Sequence, residues 1–160
     1  MSLELINAVN NDNIPLVKTL IENGADVNFQ WFSGNTALMA ASEYGKTDVV
    51  RILIEAKADV NAKDKYGNTA LIWAAQKGYT AIVRMLIEAK ANLNAQARAD
   101  GYTALMLAAL NGHTDIVRML IDAKADVSVK DKLHGMTALM KTVTHGNTEI
   151  VRMLQEAQAR

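Results

Sequence analysis

The chain has 160 residues, 17 basic and 17 acidic, so its formal net charge is zero. That balance gives no general attraction to nucleic acid or to an anionic membrane, and no apolar run approaches the length that spans a bilayer. There is no cysteine, which excludes a disulfide framework, thiol chemistry and cysteine-ligated zinc.

The first pair of elements, residues 3–28, carries apolar residues at Leu5, Ile6, Ala8 and Val9, and again at Leu20 and Ile21. Pro15 falls at the start of the second helix, where its missing N–H costs nothing. From Thr36 onward the chain repeats itself. Thr-Ala-Leu occurs at Thr36, Thr69, Thr103 and Thr137, at spacings of 33 and then 34 residues. Nine residues after each Thr stands a glycine (Gly45, Gly78, Gly112, Gly146), and two later a second threonine (Thr47, Thr80, Thr114, Thr148). Apolar blocks follow, of which Ile82-Val83-Arg84-Met85-Leu86-Ile87 is typical, and then Ala58-Asp59-Val60-Asn61 or a variant of it.

Physically, each unit is two helices and a loop, at about 3–28, 36–61, 69–94, 103–128 and 137–160. The first threonine is an N-cap, the glycine permits a left-handed end, and the second threonine is expected to cap the second helix. Val49, Ile52, Leu53 and Ala56 make one buried stripe. A single unit cannot bury its apolar face, but stacked neighbours can. Polar residues are expected to finish both ends of the stack: Asn7 and Thr19 at the first, Lys141, Thr142 and Gln155 at the last. On that basis residues 1–160 are expected to form one complete domain, and a monomer is expected.

The run Gly67-x-Thr69-Ala70-Leu71-x-x-Ala74-Ala75-x-x-Gly78, continued by Ile82-Val83-x-x-Leu86-Ile87 and Ala91-x-x-Asn94, resembles the ankyrin repeat. The resemblance covers nearly the whole chain. It implies an all-α solenoid of five stacked helix-turn-helix repeats joined by hairpin-like loops. The family's usual Pro after the Thr is Ala here (Ala37, Ala70, Ala104, Ala138), and its His is Met39, Ile72, Met106 or Met140. The glycine ending helix two survives as Gly24 but becomes Lys57, Lys90 and Lys124, which must then turn left-handed at about 1 kcal/mol each. The wording without Pro and His is similar to bacterial ankyrin proteins, some of them secreted effectors, so a cytoplasmic or secreted location is expected.

The resemblance also implies a binding surface, because loop tips and the exposed side of helix one line the family's concave face. Trp31, Phe32, Tyr66 and Tyr102 align with positions that usually point outward, and aromatic residues are enriched at interfaces. Trp73 stands where Leu107 stands one repeat later, so packing and contact are both open for it. Glu43, Tyr44, Lys77, Leu110 and Asn111 would floor the groove, with Lys65 and Leu133 on its loop tips. Leu110 would be an exposed apolar residue. His113, at the position where Tyr79 also stands, is expected to make a loop hydrogen bond rather than to act in catalysis. The pairs Arg51/Glu55, Arg84/Glu88, Arg118/Asp122 and Arg152/Glu156 would form an i,i+4 ladder.

No histidine pair has zinc-ligand spacing, the glycines build no phosphate loop, and no nucleophile–base set stands out. No catalytic residue, metal or cofactor is therefore expected. The leading expectation is a non-catalytic protein-interaction module that binds a protein or peptide through its loop and helix-one face. Two other readings compete: an engineered or consensus-like binding scaffold, and a small-molecule binder using Trp31, Tyr66 and Trp73. The irregular first loop, Phe29-Gln30-Trp31-Phe32, favours a natural protein over a designed one.

Overall fold

A computed structural model describes all residues, Met1–Arg160. Ten helices follow in chain order: α1 (Ser2–Asn10), α2 (Ile14–Glu22), α3 (Ala37–Glu43), α4 (Thr47–Glu55), α5 (Ala70–Lys77), α6 (Thr80–Glu88), α7 (Ala104–Leu110), α8 (Thr114–Asp122), α9 (Ala138–Val143) and α10 (Thr148–Gln158). They form five helix pairs. The odd-numbered helices pack side by side in one row and the even-numbered helices in a second row behind it. A continuous apolar core runs between the rows, from Leu5 and Val9 through Leu53, Leu86 and Leu120 to Leu154. No helix is long and apolar enough to cross a membrane.

The first threonine of each repeat caps as its sequence predicts. Thr36, Thr69, Thr103 and Thr137 accept from the amides of Met39, Ile72, Met106 and Met140. The second threonine does not cap. Thr47, Thr80, Thr114 and Thr148 are already the first helical residues, and the caps before them are Lys46, Tyr79, His113 and Asn147. Of these four only Asn147 accepts an amide hydrogen bond with its side chain; Asn13 does the same for α2. At two of the other three, Tyr79 and His113, an aromatic ring fills the space. A Cβ on Gly45 would lie 2.7 Å from the Tyr79 ring, and one on Gly78 would lie 2.6 Å from that of His113. These glycines are therefore required by the approach of the next repeat as well as by their positive φ.

The left-handed helix ends fall where the sequence places them, at Gly24, Lys57, Lys90 and Lys124, with φ of 87°, 68°, 66° and 72°. After them, side chains join neighbouring repeats. Asn28 Oδ1 accepts from the Asp59 amide at 2.7 Å, Asn61 Oδ1 from Asn92 at 2.6 Å, and Asn94 Oδ1 from Asp126 at 2.8 Å. The loop tips are joined by backbone hydrogen bonds, Lys65 N–H donating to Ser33, Arg98 to Tyr66 and Lys132 to Asp100, all within 2.8 Å, and by the side chains of Gln30 and Gln96, which donate to the Lys63 and Lys130 carbonyls. Each loop closes on itself as a hairpin, through Trp31 to Asn35, Asp64 to Asn68, Ala97 to Tyr102 and Asp131 to Met136.

Two further expectations do not hold in full. Of the four predicted i,i+4 pairs only Arg152–Glu156 forms, at 4.0 Å; Arg51 turns to Asp48 and Arg118 crosses to Glu149 of the next repeat, each at 2.9 Å. A three-residue step and a neighbouring repeat both offer these long exposed side chains a carboxylate as close as the i+4 one. The polar finish holds only in part at the last repeat, where Gln155 is exposed as expected. Lys141 and Thr142 are buried instead, and Met140 and Val143 are exposed.

Candidate functional site

The loop between the first and second repeats carries the most exposed ring in the chain. Phe32 is 92% exposed with φ of +20°, a conformation that a bulky side chain rarely adopts. It stands edge-on to Trp31, with ring centroids 5.3 Å apart. The backbone explains its position. Trp31 donates to Asn35 and accepts from Gly34, so the tip Phe32-Ser33 is pinched outward. Gln30 fastens the base by donating to the Gly34 and Lys63 carbonyls, both at 3.1 Å.

The next tip lies against this one through the Lys65–Ser33 hydrogen bond. Lys65 Nζ sits 5.0 Å over the Tyr66 ring, which is exposed. Asp64 holds this loop, accepting from the Tyr66 and Asn68 amides at 2.8 and 2.9 Å. Tyr44 is exposed at the end of α3, beside Asn10 and Lys46. Glu43 and Trp73 are half-buried, and Lys77 and Asn111 are exposed. The Asn111 amide turns back to the Leu107 carbonyl at 2.9 Å. Leu133 is exposed on the last loop.

Two predicted contact residues are less available than expected. Leu110 is half-buried, not exposed. Tyr102 is turned inward: it packs on the core, and its hydroxyl accepts from Lys141 Nζ at 3.0 Å while the ammonium lies 4.2 Å from its ring. Lys141 also pairs with Asp131 at 2.7 Å, both side chains almost wholly out of water. Asp131 Oδ1 accepts from the Leu133 and His134 amides. The Lys141 hydrogen bond, then the His134 amide, hold the Asp131 carboxyl well below its usual range against the opposing effect of desolvation. Burial alone would lower Lys141; its hydrogen bonds to Asp131 and Tyr102 outweigh that and raise it. A lysine raised in this way holds its proton, which suits structure and not nucleophilic chemistry. The signal for this cluster was a charged residue at the helix-one position that Trp73 and Leu107 occupy, with an aspartate ten residues before it.

His113 makes the expected loop bond. Its Nε2 lies 3.0 Å from the Gln76 carbonyl, so the proton is on that nitrogen. No group of His, Asp and Glu side chains is arranged to hold a metal ion. A hollow of about 340 Å³ lies on the helix-two row, lined by Arg51, Ile54, Glu55, Met85, Glu88 and Ala89, away from the aromatic tips.

The sequence model described as Ankyrin repeats (3 copies) matches residues 5–97 and again 90–160. No curated protein matches the chain.

Proposed function

Because the chain belongs to the ankyrin-repeat family, whose repeats are in general non-enzymatic protein-interaction modules, we propose that it binds a protein or peptide partner through its loop-tip and helix-one face. Trp31, Phe32, Tyr44 and Tyr66 are the anchors. Lys65, Lys77, Glu43 and Asn111 form the polar surround, with Trp73 on the helix-one surface and Leu110 and Leu133 toward the far end. Tyr102 is left out, because its ring and hydroxyl are committed to Lys141.

The observation that carries this is Phe32. An apolar ring left in water forgoes the stabilisation that burial would give, its positive-φ backbone adds strain, and the edge-on contact with Trp31 returns little of either. Such a residue is explained by a partner's apolar pocket. Its neighbours fit the same reading: Trp31 braces the ring, and Tyr66 with Lys65 supplies an amphipathic edge on the adjoining tip. Aromatic anchors of this kind dominate the energetics of an interface.

The test compares retention of proteins from a lysate by the wild type and by Trp31→Ala/Phe32→Ala/Tyr66→Ala, after circular dichroism shows equal helix content. A bound protein lost at least about tenfold by the triple variant places binding on these rings. Phe32→Gly sharpens the test, since it removes the strain and the ring together: it should fold at least as stably as the wild type and bind less. Equal retention by all three proteins would move the binding site off this face.

A further inference from the structure

The charges of the chain are sorted by face. The even-numbered helices carry eight acidic residues and five basic ones. The loop tips run the other way: Lys63, Lys65, Arg98, Lys130 and Lys132 are all exposed, and none of them makes an ion pair. The carboxylates of the same loops are turned to their own loops. Asp64 accepts from the Tyr66 and Asn68 amides, Asp100 accepts from the Tyr102 amide at 2.9 Å, and Asp131 is paired with Lys141. Three of the cations stand in register. Lys65, Arg98 and Lys132 come four residues after Asn61, Asn94 and Ser128, as Phe32 comes four after Asn28. The amides of the three donate to the preceding tip, at 2.8, 2.7 and 2.8 Å. Glycine makes room for two of their stems: a Cβ on Gly67 would lie 3.1 Å from Arg98 Cγ, and one on Gly101 would lie 2.6 Å from Lys132 Cγ. The row therefore reads Phe32, Lys65, Arg98, Lys132, one residue per tip, with its charged ends in water.

We propose that the partner is an acidic protein segment, laid in extended form along the loop tips, with an apolar residue at Phe32 and carboxylates at Lys65, Arg98 and Lys132. This rests on the reading that the loop-tip face is the binding surface, and it adds the chemistry of what binds there. The argument is charge complementarity with a spacing. Packed helices stand about 10 Å apart, so the tips recur at about that distance. An extended chain advances about 3.3 Å per residue, so every third residue of the partner meets a tip. Unpaired cations with no carboxylate beside them attract a carboxylate from outside, and the acidic even-numbered helices turn such a segment away from the opposite face. A nucleic acid fits the row less well. Its phosphates recur about every 3.4 Å along each strand of a duplex, so a cation every 10 Å or so would leave about two in three unmet.

The probe is a fluorescein-labelled peptide of about ten residues, tryptophan followed by glutamate at every third position with serine between, read by anisotropy. Its controls are the same peptide with glutamine for glutamate, an isomer with the glutamates adjacent, and a single strand of about ten thymidines. The full chain should bind the spaced peptide at least about tenfold more tightly than the glutamine control, and more tightly than the isomer or the thymidine strand. Added sodium chloride should shrink the margin over glutamine. Lys65→Gln/Arg98→Gln/Lys132→Gln discharges the row and leaves the backbone bonds between tips in place. It should keep its helix content and lose roughly tenfold in affinity for the spaced peptide. Lys57→Gln/Lys90→Gln/Lys124→Gln takes the same charge from the ends of the even-numbered helices and should bind as the wild type does. Each of three results would overturn the proposal: a glutamine control or isomer bound as tightly as the spaced peptide, equal binding by the two glutamine variants, or a thymidine strand bound more tightly than the peptide. Trp31→Ala/Phe32→Ala/Tyr66→Ala keeps the two readings apart. Loss of a lysate protein by this variant, with the peptide tests failing, would keep the aromatic anchors and remove the acidic partner. Peptide binding lost with the charges but untouched by this variant would keep the row and remove the anchors.

Discussion

Asp131 and Lys141 show how much one residue pair can decide. Both charges are nearly out of water, and each is tolerable only because the other is 2.7 Å away. Their shifts fix the pH response. Asp131 is depressed below its ordinary 3.8, so its contribution is complete above that value and fades as the pH falls through the lowered pKa. Lys141 is raised above 10.5, so its contribution is complete below that value and fades as the pH climbs through the raised pKa. The pair therefore supports the last repeat throughout the neutral range. Asp131→Asn should lower the melting temperature at neutral pH and flatten its fall in acid, as followed by circular dichroism. An equal loss for this variant at pH 7 and about pH 3 would show that the carboxylate's charge contributes nothing.

At the scale of the helix, the two threonines of each repeat look alike in sequence and differ in structure. Thr69 occupies extended backbone with φ of −113°, and its hydroxyl accepts from Ile72. Thr80 lies inside α6, after Tyr79, and caps nothing. Thr69→Ala should cost about 1 kcal/mol, while Thr80→Ala should cost a few tenths at most or gain slightly from helix propensity. Urea denaturation of both variants checks this; equal losses would return Thr80 to a capping role. The difference arises from the short turn between the helices. Its left-handed glycine and the ring behind it leave no extended residue at the threonine.

At the scale of the molecule, coupling between repeats is carried by the buried core and by a line of asparagine side chains that cross from repeat to repeat. Asn61 makes the link between the second and third repeats, at 2.6 Å to the Asn92 amide. Asn61→Ala removes that link and leaves the other two intact. It should cost about 1 kcal/mol and, because a solenoid is a chain of nearest-neighbour terms, partly uncouple opening of α1–α4 from that of α5–α10. Native-state hydrogen exchange would report this as two protection classes where the wild type has one. Uniform protection in the variant would show that the core alone sets cooperativity.

The sequence by itself determined the repeat, its two helices, the first-threonine caps, the left-handed lysines and the family. All of these are written in local chemistry repeated at a fixed period, so each copy corroborates the others. The exposure of most of the proposed aromatic anchors was legible in the same way: Phe32, Tyr44 and Tyr66 are exposed as expected, because loop tips and helix ends have few neighbours to cover them. What only the tertiary structure decided depends on neighbours distant in sequence. Tyr102 turned inward because Lys141, thirty-nine residues later, offered it a buried ammonium. Arg118 found Glu149 across a repeat boundary instead of Asp122 on its own helix. The last repeat buried Lys141 and Thr142 and exposed Met140 and Val143, because in a stack the face a residue occupies has meaning only by what lies on the other side of it.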